Sequence, residues 1–265
     1  MKIKLGVFLC LQMIVSVFAS AASLEGDLYL DLMKKVLVNT IYEDSSCTSV
    51  YNFKDRSQGS DYPIVAHTMV GLERLNNIQK CVENVLQENV PGDLIETGVW
   101  RGGSSIFMRA ILKVHADSIR KVWVADSFEG LPPPNLDKYP EDRGLDLYKI
   151  QYLAVPLEVV QDNFKKYNLL DDQVVFLKGF FKDTLPTVPV EQFAILRLDG
   201  DLYESTMDAL MCLYPKLSIG GYIIIDDFGA ISACAKAVHD YRNAFGITDR
   251  IEQVDWTGVY WKKTK

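Results

Sequence analysis

Leu94-Ile95-Glu96-Thr97-Gly98-Val99-Trp100-Arg101-Gly102-Gly103-Ser104 reads as an apolar strand that runs into a glycine-rich turn and then into a helix. Glycines at such a turn let the backbone approach a ligand closely, and the helix N-terminus that follows attracts negative charge. The pattern is one glycine, three other residues and a glycine pair, which is not the GxGxxG of a dinucleotide site. Downstream, Val124-Ala125-Asp126-Ser127 ends a second apolar run on an acidic residue. In nucleotide-binding α/β sheets a carboxylate at that place receives a ribose diol; its structural alternative is an Asp that caps the following loop. Together the two features favour an adenosine-containing cofactor without separating S-adenosylmethionine from NAD.

Working outward, short apolar runs at 93–97, 122–125, 174–177, 193–198 and 222–225 alternate with helical patterns near 103–114, 156–168, 204–217 and 231–244. Alternating strand and helix implies crossover connections and a mainly parallel sheet. Segments 247–254 and 259–261, parted by Asp255-Trp256-Thr257-Gly258, read as an antiparallel pair at the sheet edge. The expected fold is therefore α/β, a Rossmann-like class I methyltransferase layout with a C-terminal antiparallel hairpin. Upstream, Leu72, Leu75, Ile78, Val82, Val85 and Leu86 recur at helical spacing until Pro91-Gly92-Asp93. Leu28 and Leu32 point to an earlier helix, and 45–60 reads as a loop. Residues 23–90 form an N-terminal helical cap on this reading, and 91–265 the cofactor-binding domain. Residues 127–152, with Pro132, Pro133, Pro134 and Pro140, form a long insertion of the kind that makes a lid.

Leu198-Asp199-Gly200-Asp201 and Ile225-Asp226-Asp227 end two neighbouring strands at the edge where ligands bind. Asp199, Asp226 and Asp227 can converge there, and three crowded carboxylates repel unless a cation lies among them. Oxygen-only ligands suit Mg²⁺, which lowers the pKa of a bound substrate hydroxyl. Asp201 is the candidate general base. The alternative is that Asp201 and Asp227 serve as helix caps. His67 is expected to pack at a helix start, and His115 and His239 to be solvated.

The 265 residues carry a formal net charge of −7, which argues against a nucleic-acid binder and against polybasic membrane contact. Lys2 and Lys4 precede the apolar stretch 5–18, which small residues follow. That is the pattern of a secretory signal over 1–22, too short for a membrane span. It predicts a secretory location and a mature form without a stable span. The alternative is a cytoplasmic enzyme with an uncleaved apolar N-terminus. Cys47, Cys81, Cys212 and Cys234 show no metal spacing and read as free thiols.

The blocks AHTMVGLERLNN (66–77), VPGDLIETGVWRGGSSIFMRA (90–110), VWVADSFEGLPPP (122–134), the run 196–229 and DWTGVYW (255–261) resemble the macrocin O-methyltransferase family. That resemblance implies S-adenosylmethionine as cofactor and a small-molecule hydroxyl acceptor of the sugar or natural-product kind. It implies Mg²⁺ on Asp199, Asp226 and Asp227, Asp201 as base, and a homo-oligomer. Cofactor contacts are implied from Glu96, Thr97, Gly98, Gly102 and Ser104 in the glycine block, from Asp126 and Ser127, and from Asp183. Three rivals remain. An NAD-dependent oxidoreductase would need a Tyr-x-x-x-Lys that Tyr148-Lys149 and Tyr203 do not supply. A catechol-type methyltransferase would need a lysine where Leu202 stands. A non-catalytic binding protein on the same fold would have no need of the four aspartates.

Overall fold

The computed structural model describes residues 24–265; the leader read over 1–22 lies outside them. Among the described residues no helix is long and apolar enough to cross a membrane. The helices are α1 (24–37), α2 (Phe53–Gln58), α3 (Gly71–Gln87), α4 (Gly103–Val114), α5 (Leu157–Lys166), α6 (Phe181–Thr184), α7 (Tyr203–Leu213) and α8 (Ser232–Ala244). The strands are β1 (Asp93–Thr97), β2 (Val122–Asp126), β3 (Val174–Lys178), β4 (Phe193–Leu198), β5 (Leu217–Ile225), β6 (Glu252–Gln253) and β7 (Val259–Lys262). They make one seven-stranded sheet in the order β3-β2-β1-β4-β5-β7-β6. β1 to β5 pair in parallel, and β7 runs antiparallel to β5 and β6.

Period-2 alternation sorts the strand side chains to two faces. Leu94, Val122, Val124, Tyr222 and Ile224 join the core under α3, α4 and α5. Ile95, Trp123, Ala125, Ile223 and Ile225 join the core under α7 and α8. The α3 stripe Leu75, Ile78, Val82 and Val85 is fully buried, each side chain contributing roughly 1.5–3 kcal/mol of burial. The sheet order reverses between β1 and β4, so the loops leaving these strands diverge and open a crevice at their carboxyl ends.

Several elements depart from the sequence reading. Residues 53–58, read as loop, are helical. Asn52 caps them by accepting from the Lys54 and Asp55 amides, and Gly59 ends them at φ 60°. Helix α1 is present, but it buries Leu30, Met33 and Leu37 and leaves Leu28 and Leu32 exposed. β5 starts at Leu217 rather than 222. Its first residues carry Gly220 at φ 89° and a register shift against β4, so they lack a strand's alternation. The C-terminal pair is shorter than read, since 247–251 takes no strand pairing. Among the described residues, Cys47, Cys81, Cys212 and Cys234 are free thiols.

Candidate active site

The carboxyl edge is built by hydrogen bonds that continue the ladders past the strands. Gly98 N–H donates to the Ala125 carbonyl, Asp199 N–H to Thr97 and Asp226 N–H to Leu198, each at 2.9 Å. Gly98 has φ 82°, and a Cβ there would lie 1.7 Å from the Asp199 carbonyl oxygen. Only glycine lets the β1 turn come this close to the β4 turn.

Glu96 and Arg197 are direct partners in the β1–β4 register. Asp199 follows Arg197 by two residues and shares its face. The wholly buried Arg197 guanidinium donates to Glu96 at 2.6 Å, to Asp199 at 2.8 Å and to Asp226. From α3, Arg74 donates to Asp226 and, at 2.9 Å, to Asp255. Ser105 of α4 donates to the second oxygen of Glu96. Acceptors outnumber these two cations. Burial pushes Glu96 up to about 7. Burial and the neighbouring Asp226 push Asp199 up to about 6. Burial, then Asp199 and Asp226, push Asp201 up to about 8. Asp227 is raised well above the usual carboxylate range by burial and by Asp201.

Ligand oxygens of Asp199, Asp226 and Asp227 lie within 4.8 Å of one another. Arg197 and Arg74 engage the Asp226 oxygens, and the Asp201 amide donates to Asp227 at 3.2 Å. An all-oxygen set whose negative charge exceeds that of its two arginines fits a hard divalent cation. Asp201 itself holds a left-handed backbone, φ 58°. A non-glycine residue in that region stores strain, which is common where geometry serves chemistry.

A cavity of about 870 Å³ opens over this edge. Glu96, Gly98, Ser104, Asp126, Ser127, Asp199, Asp201, Asp226 and Asp227 border it. Thr97, Gly102 and Asp183 do not. The Thr97 hydroxyl is buried without a partner. Gly102 has φ 85° and faces Val160, whose Cγ1 a Cβ would meet at 2.8 Å. Near Asp183, it is Phe180, Phe181 and Lys182 that reach the cavity. Asp126 accepts from the Val99 amide at 2.8 Å and the Phe128 amide at 2.7 Å. It therefore ties the β1 and β2 turns together, with lone pairs left over for a ligand hydroxyl. His67 is absent from the lining: its ring pairs with the Tyr167 hydroxyl at 2.6 Å, and burial pushes its pKa down to about 4. Leu202, at the place of the rival lysine, is fully buried.

Sequence reasoning read 127–152 as a lid but named none of the residues that wall the cavity. Lid residues Leu131, Pro132, Leu145, Leu147 and Ile150 form an apolar wall, joined by Trp256 from the β6–β7 turn and Tyr62 from the cap. Arg74, Arg197 and Trp100 were also missed. Trp100, at φ 47°, donates its indole N–H to the Tyr152 carbonyl at 2.9 Å and so pins the end of the lid to the glycine turn. Arg197 could have been found, since a charged residue inside an otherwise apolar strand needs buried partners.

A sheet of this order with its antiparallel strand, its β1 glycine turn and the acidic end of β2 defines a class I methyltransferase. Comparison with known proteins makes the family explicit. The model of the macrocin O-methyltransferase (TylF) family matches residues 45–263. The chain is 60% identical over 244 residues to the 8-demethyl-8-(2,3-dimethoxy-alpha-L-rhamnosyl)-tetracenomycin-C 4'-O-methyltransferase of Streptomyces olivaceus, covering 90% of this chain and 93% of that one. It is 50% identical over 247 residues to the mycinamicin III 3''-O-methyltransferase of Micromonospora griseorubida, covering 90% and 97%. The solved O-methyltransferase NovP superposes with a TM-score of 0.89 at 53% identity, over 91% of this chain and all of that one. The chain belongs to the macrocin O-methyltransferase family and is an S-adenosylmethionine-dependent O-methyltransferase.

Proposed function

We propose that this enzyme methylates a hydroxyl of a sugar carried on a larger apolar molecule, with a divalent cation, Mg²⁺ by its chemistry, at Asp199, Asp226 and Asp227. The observation that carries this reading is the meeting of these three carboxylates with Asp201 in the cavity that the Gly98 turn and Asp126 also border. The apolar lid residues that border the same cavity as the carboxylates support an amphipathic acceptor, with hydroxyls at one end and an aglycone at the other. Two relatives point the same way, one named for a rhamnosyl-tetracenomycin and the other for mycinamicin III.

When bound, the donor supplies an electrophilic methyl group and the cation supplies the positive charge that acidifies a nearby hydroxyl. The chain's own residues do the rest. Gly98 and Ser104 would let the cofactor approach the β1 turn, and Asp126 and Ser127 would hold its ribose. Arg197 and Arg74 hold the carboxylates of Asp199 and Asp226 in place. Asp201 takes the proton from the acceptor hydroxyl as it attacks. The lid and Trp256 exclude water and fix the acceptor's approach, so that most of the acceleration is positional.

The test is methyl transfer from isotope-labelled S-adenosylmethionine to a panel of glycosides, read by mass spectrometry with and without EDTA. Labelled sugar products that vanish with EDTA and return with Mg²⁺ are expected. Transfer at full rate in EDTA would remove the cation, and transfer confined to non-sugar phenols would remove the sugar acceptor.

A further inference from the structure

Asp142, in the middle of the lid, is fully buried although it carries a charge and sits in a surface loop. Its oxygens accept from the backbone amides of Tyr203 at 2.6 Å and Glu204 at 3.1 Å. These are the first two residues of α7, which begins directly after the Asp199–Leu202 turn. The residue in the cap position of α7 is Leu202, whose side chain offers no acceptor. The helix is therefore capped by a residue sixty-one positions away in sequence rather than by its own flank. The docking is reinforced on either side. The Tyr139 ring lies 5.7 Å from that of Tyr203, and Glu141 pairs with Lys236 of α8 at 3.7 Å.

The turn so held is the strained one. Asp201 is left-handed at φ 58°, and the Leu202 amide closes a tight turn onto the Gly200 carbonyl at 2.6 Å. Orphan amides at the start of α7 would otherwise turn to water or let the first turn fray into that loop.

We propose that Asp142 is a positioning residue for methyl transfer: by capping α7 from the lid it sets the backbone of the Asp201 turn, so that seating the lid and placing the base are one event. This rests on the reading of Asp201 as base. The same lid carries the apolar wall against which the acceptor packs, so an acceptor that seats the lid also secures the base.

The experiment compares Asp142→Ala and Asp142→Asn with the wild type, using 4-nitrophenyl α-L-rhamnoside as methyl acceptor and calorimetry of S-adenosylhomocysteine binding. Asp142→Ala should lower kcat about tenfold or more, the scale of a misplaced reacting group, with cofactor affinity unchanged. Asp142→Asn, which keeps one acceptor oxygen, should restore most of that loss. Tyr139→Ala, which removes the stacked ring and leaves the cap, should stay within about threefold, since surface contacts of this kind contribute little. In an Asp201→Asn background the Asp142→Ala effect should nearly disappear, because two residues acting through one step are not additive. A full additive loss there overturns the proposal, as does wild-type kcat in Asp142→Ala. Wild-type turnover in Asp201→Asn alone would instead sink the base reading. Amide hydrogen exchange decides independently of turnover, or where the alanine variant fails to fold. In Asp142→Asn the amide of Tyr203 or Glu204 should exchange faster while the later amides of α7 keep their protection. Unchanged exchange at both amides rejects the cap.

Discussion

At the scale of single residues, the environment separates groups that look alike in the sequence. Asp201 and Asp227 are both half-buried carboxylates pushed upward, yet only Asp201 holds a left-handed backbone. Asp201→Asn should leave S-adenosylhomocysteine binding intact by calorimetry and slow methyl transfer by about 10²-fold, the usual loss of a general base. Turnover at the wild-type rate would take the base role away from it. His67 supplies a pH signature. Its ring ionises near 6.5 when unfolded and near 4 when folded, because burial favours the neutral form. The folded state is thus penalised as pH falls from 6.5 to 4, and the ring adds nothing to the pH dependence above 6.5. Urea midpoints should fall over that window, and His67→Gln should flatten the fall by about 2 kcal/mol once partial exposure is allowed for. A slope identical to wild type would show that another group carries it.

At the scale of elements, the active edge is held by charge as much as by hydrophobic packing. Arg197 joins Glu96 of β1, Asp199 after β4 and Asp226 after β5. Removing it leaves buried carboxylates without compensation, and breaking such a network costs about 3–5 kcal/mol. Arg197→Met should lose that much stability in urea denaturation, and adding Glu96→Gln should recover part of it. Full stability in the single variant would mean that water already solvates the cluster. Gly98 marks the other element-level constraint. The β1 turn meets the Asp199 backbone so closely that no side chain fits between them. The spacing between the glycine turn and the carboxylates is therefore built into the backbone.

At the scale of the molecule, the site is assembled from every layer. The cap gives Arg74, the sheet edge the aspartates, the lid the apolar wall and the β6–β7 turn Trp256. A ligand that binds only this assembled state raises its stability. Saturating Mg²⁺ at about a hundred times its Kd should contribute about 2.7 kcal/mol, a rise in Tm of about 5 °C or more for a chain of this size. Asp227→Asn should abolish most of that rise. An equal rise in the variant would free Asp227 from the cation set.

Most of the frame was legible because its signals are local. The run 94–104 showed a strand, a turn and a helix in order, and β1 falls on the predicted residues 93–97. The paired aspartates at the ends of β4 and β5 were legible because strand ends in a parallel sheet share one edge. Helix α1 was legible only as a helix and not by its buried face, because the exposed Leu28 and Leu32 are as apolar as the buried Leu30 and Leu37. Helical spacing alone cannot say which side meets the sheet.

The sequence by itself determined the order of strands and helices, the glycine turn and which carboxylates end neighbouring strands, since each depends on residues adjacent in the chain. Only the tertiary structure decided that Arg197 and Arg74 restrain the acidic cluster, that the lid supplies the apolar wall, and that Asp142 caps a helix sixty-one positions away. Those are contacts between segments far apart in sequence. Their partners are chosen by the close approach of backbones in the folded state and by the cost of burying charge unpaired.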